Sequence, residues 1–134
     1  MNAFEPRSPA IRAVYRELDL YARHGRRCIL FGPTGAGKEH AARYYQECYD
    51  RHHGKKARFE ALNCGGLTAA MAHSELFGHV KGAFTDAKSE RLGVFQLTAD
   101  GGILFLDEVG DLSPDVAPAL LRALDPEHGE ARAL

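Results

Sequence analysis

A glycine-rich turn between a short apolar run and a helix-forming segment constrains the fold of this chain more than any other feature. The apolar run is Cys28–Phe31, the turn spans Gly32–Gly37, and Lys38 follows directly. The turn meets the spacing G-x-x-x-x-G-K in full, although Glu39 stands where that pattern usually has Ser or Thr. Glycine allows successive N–H groups to face one anion, and the start of a helix adds its positive dipole end. The order of strand, glycine turn, lysine and helix therefore predicts an α/β domain that holds the phosphates of a nucleotide.

The residues expected to surround the phosphates are those of the turn and its two successors. They are Gly32, Pro33, Thr34, Gly35, Ala36, Gly37, Lys38 and Glu39. Lys38 would supply a mobile positive charge for the outer phosphates. A carboxylate at the place of the usual Mg²⁺-binding hydroxyl adds negative charge close to a triphosphate, so we expect Glu39 to turn away or to cap the helix. A chance glycine turn before a helix is the alternative interpretation.

A second short apolar run ends in two acidic residues. Ile103–Leu106 precedes Asp107 and Glu108, and a wholly apolar run of this length suits a strand that is buried on both faces of a parallel sheet. Groups at the carboxyl ends of parallel strands face the ligand crevice. We therefore expect Asp107 to orient Mg²⁺, directly or through water, and Glu108 to polarise an attacking water. The adjacent acids favour ATP hydrolysis over transfer to a small substrate, whereas a strand that ends in solvated acids by chance is the alternative.

Helix and strand patterns alternate along the chain, which is typical of an α/β three-layer domain. The predicted helices are 9–24, 38–52, 68–77, a helical turn at 93–98 and a helix that starts near 113–115, and the predicted strands are 27–31, 58–63 and 103–106. The apolar residues that recur at helical spacing in the first helix are Ile11, Val14, Leu18 and Tyr21. Pro118 is awkward in the last helix because it removes a helical N–H bond. The segment 78–91 has neither periodicity, and long loops of this kind are often functional.

Length and composition place limits on the class of protein. The 134 residues suggest one domain, with 1–7 as a loose leader, and no apolar run approaches the ~20 residues of a membrane span. The three cysteines, Cys28, Cys48 and Cys64, predict buried thiols in a reducing compartment, which together with the absence of a signal peptide implies a cytoplasmic protein.

Charge is distributed unevenly along the chain. Residues 1–60 carry 12 Lys and Arg against 7 Asp and Glu, whereas 61–134 carry 5 against 11. This asymmetry is consistent with head-to-tail association of copies and equally with two solvated faces of a monomer. Cys48 and His52 could face one side of a helix, but no second ligand pair is visible, so a surface helix end is favoured over a metal site.

Together these residues resemble the AAA+ central domain of bacterial enhancer-binding proteins, the sigma-54-dependent transcriptional activators. The resemblance runs from about Ser8 to Leu124. It rests on motifs that occur in the family's order, at 32–39, Asn63-Cys64, Glu75–His79, Lys81–Thr85, Gly93–Phe95 and 99–108. Glu39 is what this family has after its lysine.

The resemblance implies a P-loop NTPase of the AAA+ type that uses ATP and Mg²⁺, with Lys38, Asp107 and Glu108 in the catalytic site. Asn63 matches the residue that pairs with the catalytic glutamate and switches it. The sigma-54 contact loop would comprise Gly82, Ala83, Phe84, Thr85, Asp86 and Ala87. Its implied partner is the sigma-54 subunit of RNA polymerase, and ring-shaped homo-oligomers would remodel a closed promoter complex into an open one. Asp86 stands where the family sequence Gly-Ala-Phe-Thr-Gly-Ala has its second glycine, and Asp tolerates left-handed backbone angles better than most residues.

The resemblance also implies that residues 8–134 are the N-terminal part of such a domain, truncated before the sensor residues, the arginine fingers and the helical lid. We therefore expect this segment to hydrolyse ATP weakly or not at all by itself, because a neighbour's arginine contributes strongly to related reactions. We expect no direct DNA binding by this segment. The alternative function is a truncated nucleotide-binding or interaction module without activator or efficient ATPase activity.

Overall fold

The computed structural model of the protein describes residues 8–32, 35, 37–80, 82 and 90–124, and the chain divides into two units at Ala57. The first unit contains helix α1 (Pro9–Arg23) and helix α2 (Lys38–His53). The second unit contains, in order, strand β1 (Phe59–Asn63), helix α3 (Ala69–Phe77), helix α4 (Val94–Thr98), strand β2 (Ile103–Asp107), a 3-10 helix (Val109–Asp111) and helix α5 (Ala117–Leu124). The α/β class and the parallel sheet are confirmed, as are all predicted helices and two of the three predicted strands.

Helix α1 is bounded as its sequence predicts but buries a different face. Its N-cap is Ser8, and the chain leaves the helix through Gly25, whose φ of 62° lies in the left-handed region. The buried residues are Tyr15, Leu18 and Ala22. Two of the apolar residues that recur at helical spacing, Ile11 and Val14, are 45% and 40% exposed, whereas Leu18 is buried. The buried face therefore follows that apolar pattern only in part.

The contact with α2 explains which face of α1 is buried. The ring of Tyr15 stacks on that of Tyr44, with their centroids 4.6 Å apart. One turn further on, Asp19 Oδ1 accepts a hydrogen bond from Arg51 at 3.1 Å and lies 2.6 Å from His52 Nε2. The hydrogen bond with His52 is the main cause that lowers the pKa of Asp19, against the opposing effect of partial burial. A helix pair buries the stripe that meets its neighbour, and one-dimensional spacing places that stripe only approximately.

The segment between the two helices departs from the prediction. A strand over 27–31 is wrong: residues 26–32 form no strand, and the sheet of the described residues contains two strands that pair with each other. The side chains of Ile29 and Phe31 are 75% and 91% exposed, and Cys28, which was expected to be buried, is exposed as well. An apolar run needs a hydrogen-bonding neighbour to form a strand, and within the described ranges no other segment pairs with this one.

Strands β1 and β2 form a parallel pair that brings two polar ends together. The register runs from Phe59 opposite Ile103 to Asn63 opposite Asp107. Parallel strands need a crossover connection, and here the chain between them contains α3 and α4. Ile103 is buried but the rest of β2 is only half-buried, so the prediction of a strand buried on both faces is too strong. Among the described residues β2 pairs with β1 alone, so one of its edges has no neighbouring strand there.

Helices α3 and α4 cover one face of this sheet and build the core of the second unit. The buried residues at its centre are Ala72, Leu76, Val94 and Val116. The half-buried apolar residues packed against them are Leu62, Leu67, Ala69, Phe77, Phe95, Leu104, Leu106 and Leu112. Thr68 caps α3 by accepting a hydrogen bond from Met71 N at 3.2 Å.

Helix α5 accommodates Pro118 because of where it begins. Its first residue is Ala117, and the first helical hydrogen bond runs from Leu120 N to Val116 O at 3.1 Å. Pro118 therefore lies in the first turn, where a backbone N–H has no partner within the helix and proline is tolerated. Of the helices in the described residues, none has both the length and the apolar character needed to cross a membrane.

Candidate functional site

The described part of the glycine turn shows why glycine occupies two of its positions. Gly35 and Gly37 have φ angles of 82° and 87°, in the region that side chains disfavour. A Cβ added to either residue would meet nothing within 4 Å, so the requirement is conformational and the turn is open around them. Pro33, Thr34 and Ala36, which were predicted to contact the phosphates, lie outside the described residues.

The turn leads directly into the N-terminus of α2, a helix of 16 residues. Gly37 is the N-cap and has no side chain to satisfy the first N–H groups, so these groups point out of the helix end. The Lys38 amine donates a hydrogen bond to the carbonyl oxygen of Gly32 at 3.0 Å, across the two ends of the turn. Glu39 is exposed in the first turn of the helix and makes no cap. Positive charge and unpaired N–H groups thus converge at one point, which is the arrangement that binds anions.

In the second unit, the parallel register brings three of the predicted site residues together. Asn63 and Asp107 end the two strands side by side, and Cys64 N donates to the backbone oxygen of Asp107 at 2.9 Å. The Asp107 carboxylate accepts a hydrogen bond from the backbone N–H of Glu108 at 2.9 Å. The side chain of Asp107 therefore constrains the backbone of Glu108.

Glu108 has an unusual backbone conformation. Its φ of 54° and ψ of 41° make it the single non-glycine residue with a positive φ in the described ranges. It is also the residue before the 3-10 helix, whose Asp111 N donates to Glu108 O at 3.0 Å. A left-handed glutamate is held at a local cost, and strained residues of this kind cluster at functional sites.

The carboxylate of Glu108 lies against the turn that follows β1. Its Oε2 occupies the place where a side chain on Gly65 would begin, and Asn63 Oδ1 lies 3.1 Å from the same point. Asn63 Oδ1 accepts a hydrogen bond from Gly65 N at 2.8 Å. Sequence reasoning missed Gly65 as part of this site, although two adjacent glycines, Gly65 and Gly66, are a turn signal in the sequence.

Cys64, between these residues, is a structural thiol. It is fully buried, and burial together with the negative charges of Asp107, Asp111 and Glu108 raises its pKa. The thiol therefore stays protonated near neutral pH and is a poor nucleophile.

The ends of the segment 78–91 are fastened to each other. His79 and Arg91 form an isolated antiparallel bridge with two backbone hydrogen bonds of 2.9 Å. Arg91 also pairs with Glu75 on α3 at 3.0 Å. Between the fastened ends, Gly82 has a φ of 83° in open space, whereas the predicted contact residues Ala83, Phe84, Thr85, Asp86 and Ala87 lie outside the described residues.

The glycine turn with Lys38 belongs to the first unit, and the cluster of Asn63, Asp107 and Glu108 belongs to the second. Comparison with known proteins relates both parts to one family. The chain matches the family described as the sigma-54 interaction domain over residues 4–131.

Curated relatives and a solved structure agree with this match. The chain is 46% identical over 117 residues to a Nif-specific regulatory protein of Sinorhizobium fredii, which covers 87% of this chain and 19% of the relative. It is 39% identical over 124 residues to the formate hydrogenlyase transcriptional activator of Escherichia coli, covering 92% of this chain and 17% of the relative. The crystal structure of NtrX from Brucella abortus is similar with a TM-score of 0.73 at 28% identity, covering 92% of this chain and 26% of that one.

The chain thus spans about a fifth of the length of these curated relatives. The family match covers nearly all of its residues, including the glycine turn, the acidic strand end and the segment between His79 and Arg91. The family predicted from the motifs is confirmed: this chain belongs to the sigma-54 interaction domains.

Proposed function

We propose that the chain binds ATP with Mg²⁺ and that, as a part of a sigma-54-dependent activator, it couples hydrolysis to remodelling of the sigma-54 RNA polymerase closed complex. The observation that carries the proposal is the glycine turn, in which Gly35 and Gly37 adopt left-handed angles immediately before the uncapped N-terminus of α2. The part of the proposal that concerns transcription is supported by the names of the relatives, which are a regulatory protein and a transcriptional activator.

In this proposal the first unit holds the nucleotide. The phosphates would lie on the N–H groups of the turn from Gly32 to Glu39 and at the positive end of α2. Lys38 already reaches across the turn to the Gly32 carbonyl at 3.0 Å, and it would exchange this neutral acceptor for phosphate oxygens. Because a charge-assisted hydrogen bond is stronger than a neutral one, the exchange favours binding.

The acidic strand end fits Mg²⁺ in the way that nucleotide sites commonly do. Mg²⁺ is usually held by one or two carboxylates together with substrate phosphates and water. In the described ranges no group of three or more His, Cys, Asp or Glu side chains forms a metal cage. The proposed ion would be held by Asp107 together with phosphate oxygens and water. Asp107 would orient the ion, which supplies positive charge to the phosphate oxygens when bound.

Glu108 would act as the general base for the attacking water, and Asn63 would restrain it. The carboxylate of Glu108 lies at the Gly65 backbone, near Asn63 Oδ1. An amide next to a carboxylate can hold it until contacts elsewhere rearrange. Copies of the complete domain would form rings, and the loop from Gly82 to Ala87 would contact sigma-54.

The first experiment measures ATP binding and turnover by the wild-type chain, Lys38→Ala and Glu108→Gln. Lys55→Ala is the matched control, because it removes an exposed lysine beyond the other end of α2. Loss of the charged contact in Lys38→Ala should weaken ATP binding about tenfold or more. Glu108→Gln should keep the binding and reduce turnover about a hundredfold or more.

Turnover per chain should rise with protein concentration if assembly completes the site. Substantial turnover that does not depend on concentration would contradict this expectation. Equal ATP affinity of Lys38→Ala and Lys55→Ala would refute the assignment of the phosphate site.

A second experiment tests the partner. Sigma-54 should be retained on immobilised chain in the presence of a transition-state mimic of ATP, and Phe84→Ala should abolish the retention. Nucleotide binding without any retention of sigma-54 would instead support the alternative of a nucleotide-binding module without activator function.

A further inference from the structure

The backbone of Gly65, in the turn after β1, does not itself require glycine. Its φ lies outside the left-handed region, whereas the next residue, Gly66, has a φ of 74°. An alanine at position 65 would therefore be compatible with the backbone conformation. That alanine would, however, clash with the side chain of Glu108.

The conflict is specific to one carboxylate. An added Cβ on Gly65 would overlap Glu108 Oε2, and the carboxyl carbon of the same side chain would lie 3.4 Å away. The other neighbour is Asn63 Oδ1 at 3.1 Å, which is held in place by the hydrogen bond from Gly65 N. The missing side chain of Gly65 thus forms a small depression, walled by Asn63, in which the end of Glu108 rests.

The backbone of Glu108 directs the side chain into this depression. The Asp107 carboxylate holds the N–H of Glu108, and the 3-10 helix holds its carbonyl oxygen. Its left-handed φ of 54° is fixed between these two contacts. The backbone is therefore constrained on both sides, and the remaining freedom of the carboxylate lies in the side-chain torsions.

We propose that Gly65 is a positioning residue for Glu108: its missing side chain provides the seat, beside Asn63, in which the carboxylate rests when no nucleotide is bound. The role given to the seat rests on the proposed function, in which Glu108 is the base and Asn63 restrains it. A seated carboxylate has to leave before it can polarise water, so the seat lowers the fraction of chains that are ready to react. Filling the seat shifts Glu108 toward conformers that point away from the turn.

The test compares Gly65→Ala with Gly110→Ala. Gly110 lies in the 3-10 helix, two residues from Glu108, and a Cβ there would meet nothing within 4 Å at a φ that alanine tolerates. Both variants remove one glycine, but only the first displaces the carboxylate. Gly65→Ala should fold normally, because the atom in its way is the mobile end of a side chain.

Crystal structures of the two variants provide the readout that does not depend on activity. Glu108 Oε2 should leave the seat in Gly65→Ala and keep its place in Gly110→Ala. A carboxylate that stays while the turn moves, or a Gly65→Ala chain that does not fold, would overturn the proposal.

ATP turnover then tests what the seat does. In Gly65→Ala kcat should rise about threefold or more, with KM for ATP unchanged, because the change acts on the base and not on the phosphate turn. Asn63→Ala should raise kcat in the same way, and Gly65→Ala should add little to it. An unchanged or lower kcat in Gly65→Ala would overturn the proposal. Absence of turnover in every chain would refute the hydrolytic function, and the two crystal structures would then show by themselves whether Gly65 positions Glu108.

Discussion

The substitution Gly93→Ala is a sharp test of how the segment between His79 and Arg91 is fastened to the second unit. Gly93 is buried and has φ −82° and ψ 168°, angles that any residue adopts. The difficulty lies in space: a Cβ there would approach the backbone of Leu76 and Gly78 more closely than real Cβ atoms do. These are backbone atoms at the end of α3, and Gly78 N donates a hydrogen bond to Ser74 O at 2.8 Å. The end of α3 would have to shift to make room.

The magnitude follows from separating two contributions. Overpacking a well-packed site costs about 1–3 kcal/mol. Replacement of any glycine by alanine also restricts the unfolded chain, which stabilises the fold by about 0.4–1 kcal/mol where the backbone permits it. Gly110→Ala shares the second contribution and lacks the first, since its Cβ has open space. The free energy of unfolding should therefore differ between the two variants by about 1–3 kcal/mol, with Gly93→Ala the less stable.

Urea unfolding followed by far-UV circular dichroism measures this difference. Gly93→Ala should lower the urea midpoint of the second unit and keep the slope m, because the surface exposed on unfolding is the same. Variants whose free energies of unfolding agree within about 0.5 kcal/mol would refute the packing argument, since surface substitutions scatter by that amount.

Two further predictions concern the core of the second unit and the ion pair between α1 and α2. Leu76→Ala should lower the free energy of unfolding by about 2–5 kcal/mol, since Leu76 is fully buried, whereas Leu121→Ala, 67% exposed, should change it by less than about 0.5 kcal/mol in the same urea assay. A similar loss in both would contradict the assigned core. Asp19→Asn should cost less than about 1 kcal/mol at pH 7, because the carboxylate that pairs with His52 is 38% exposed and screened by solvent. The pKa of Asp19 is lowered in the folded chain, so its contribution is complete above the ordinary value of 3.8 and is lost as the pH falls below it. Unfolding curves of the wild-type chain and Asp19→Asn should converge at low pH, and a gap that widens there would show the sign to be wrong.

Local chemistry explains what could be predicted from the sequence. The boundaries of α1 and α2 depend on residues that are neighbours in the chain, as does the glycine turn before Lys38. Cap residues and glycines therefore predict them. The strand ends at Asn63 and Asp107 could also be predicted, because parallel strands place their carboxyl ends at one edge. That edge in fact brings the two residues into register.

The errors arose where a partner that is distant in the chain decides the outcome. The run 27–31 has the composition of a strand, yet strand formation requires hydrogen bonds from another segment. The buried stripe of α1 was displaced because α2, through Tyr44, determines which side is covered. Pro118 looked disruptive until the start of α5 at Ala117 placed it in the first turn.

By itself, the sequence determined the class of the fold, the glycine turn and the family, since each depends on residue types at short, fixed spacing. Only the tertiary structure decided how Glu108 is held. Its left-handed backbone is held by the neighbouring residues Asp107 and Asp111, but its place on Gly65 arises from a contact between residues more than 40 positions apart. No local pattern specifies the empty space that a missing side chain leaves for another.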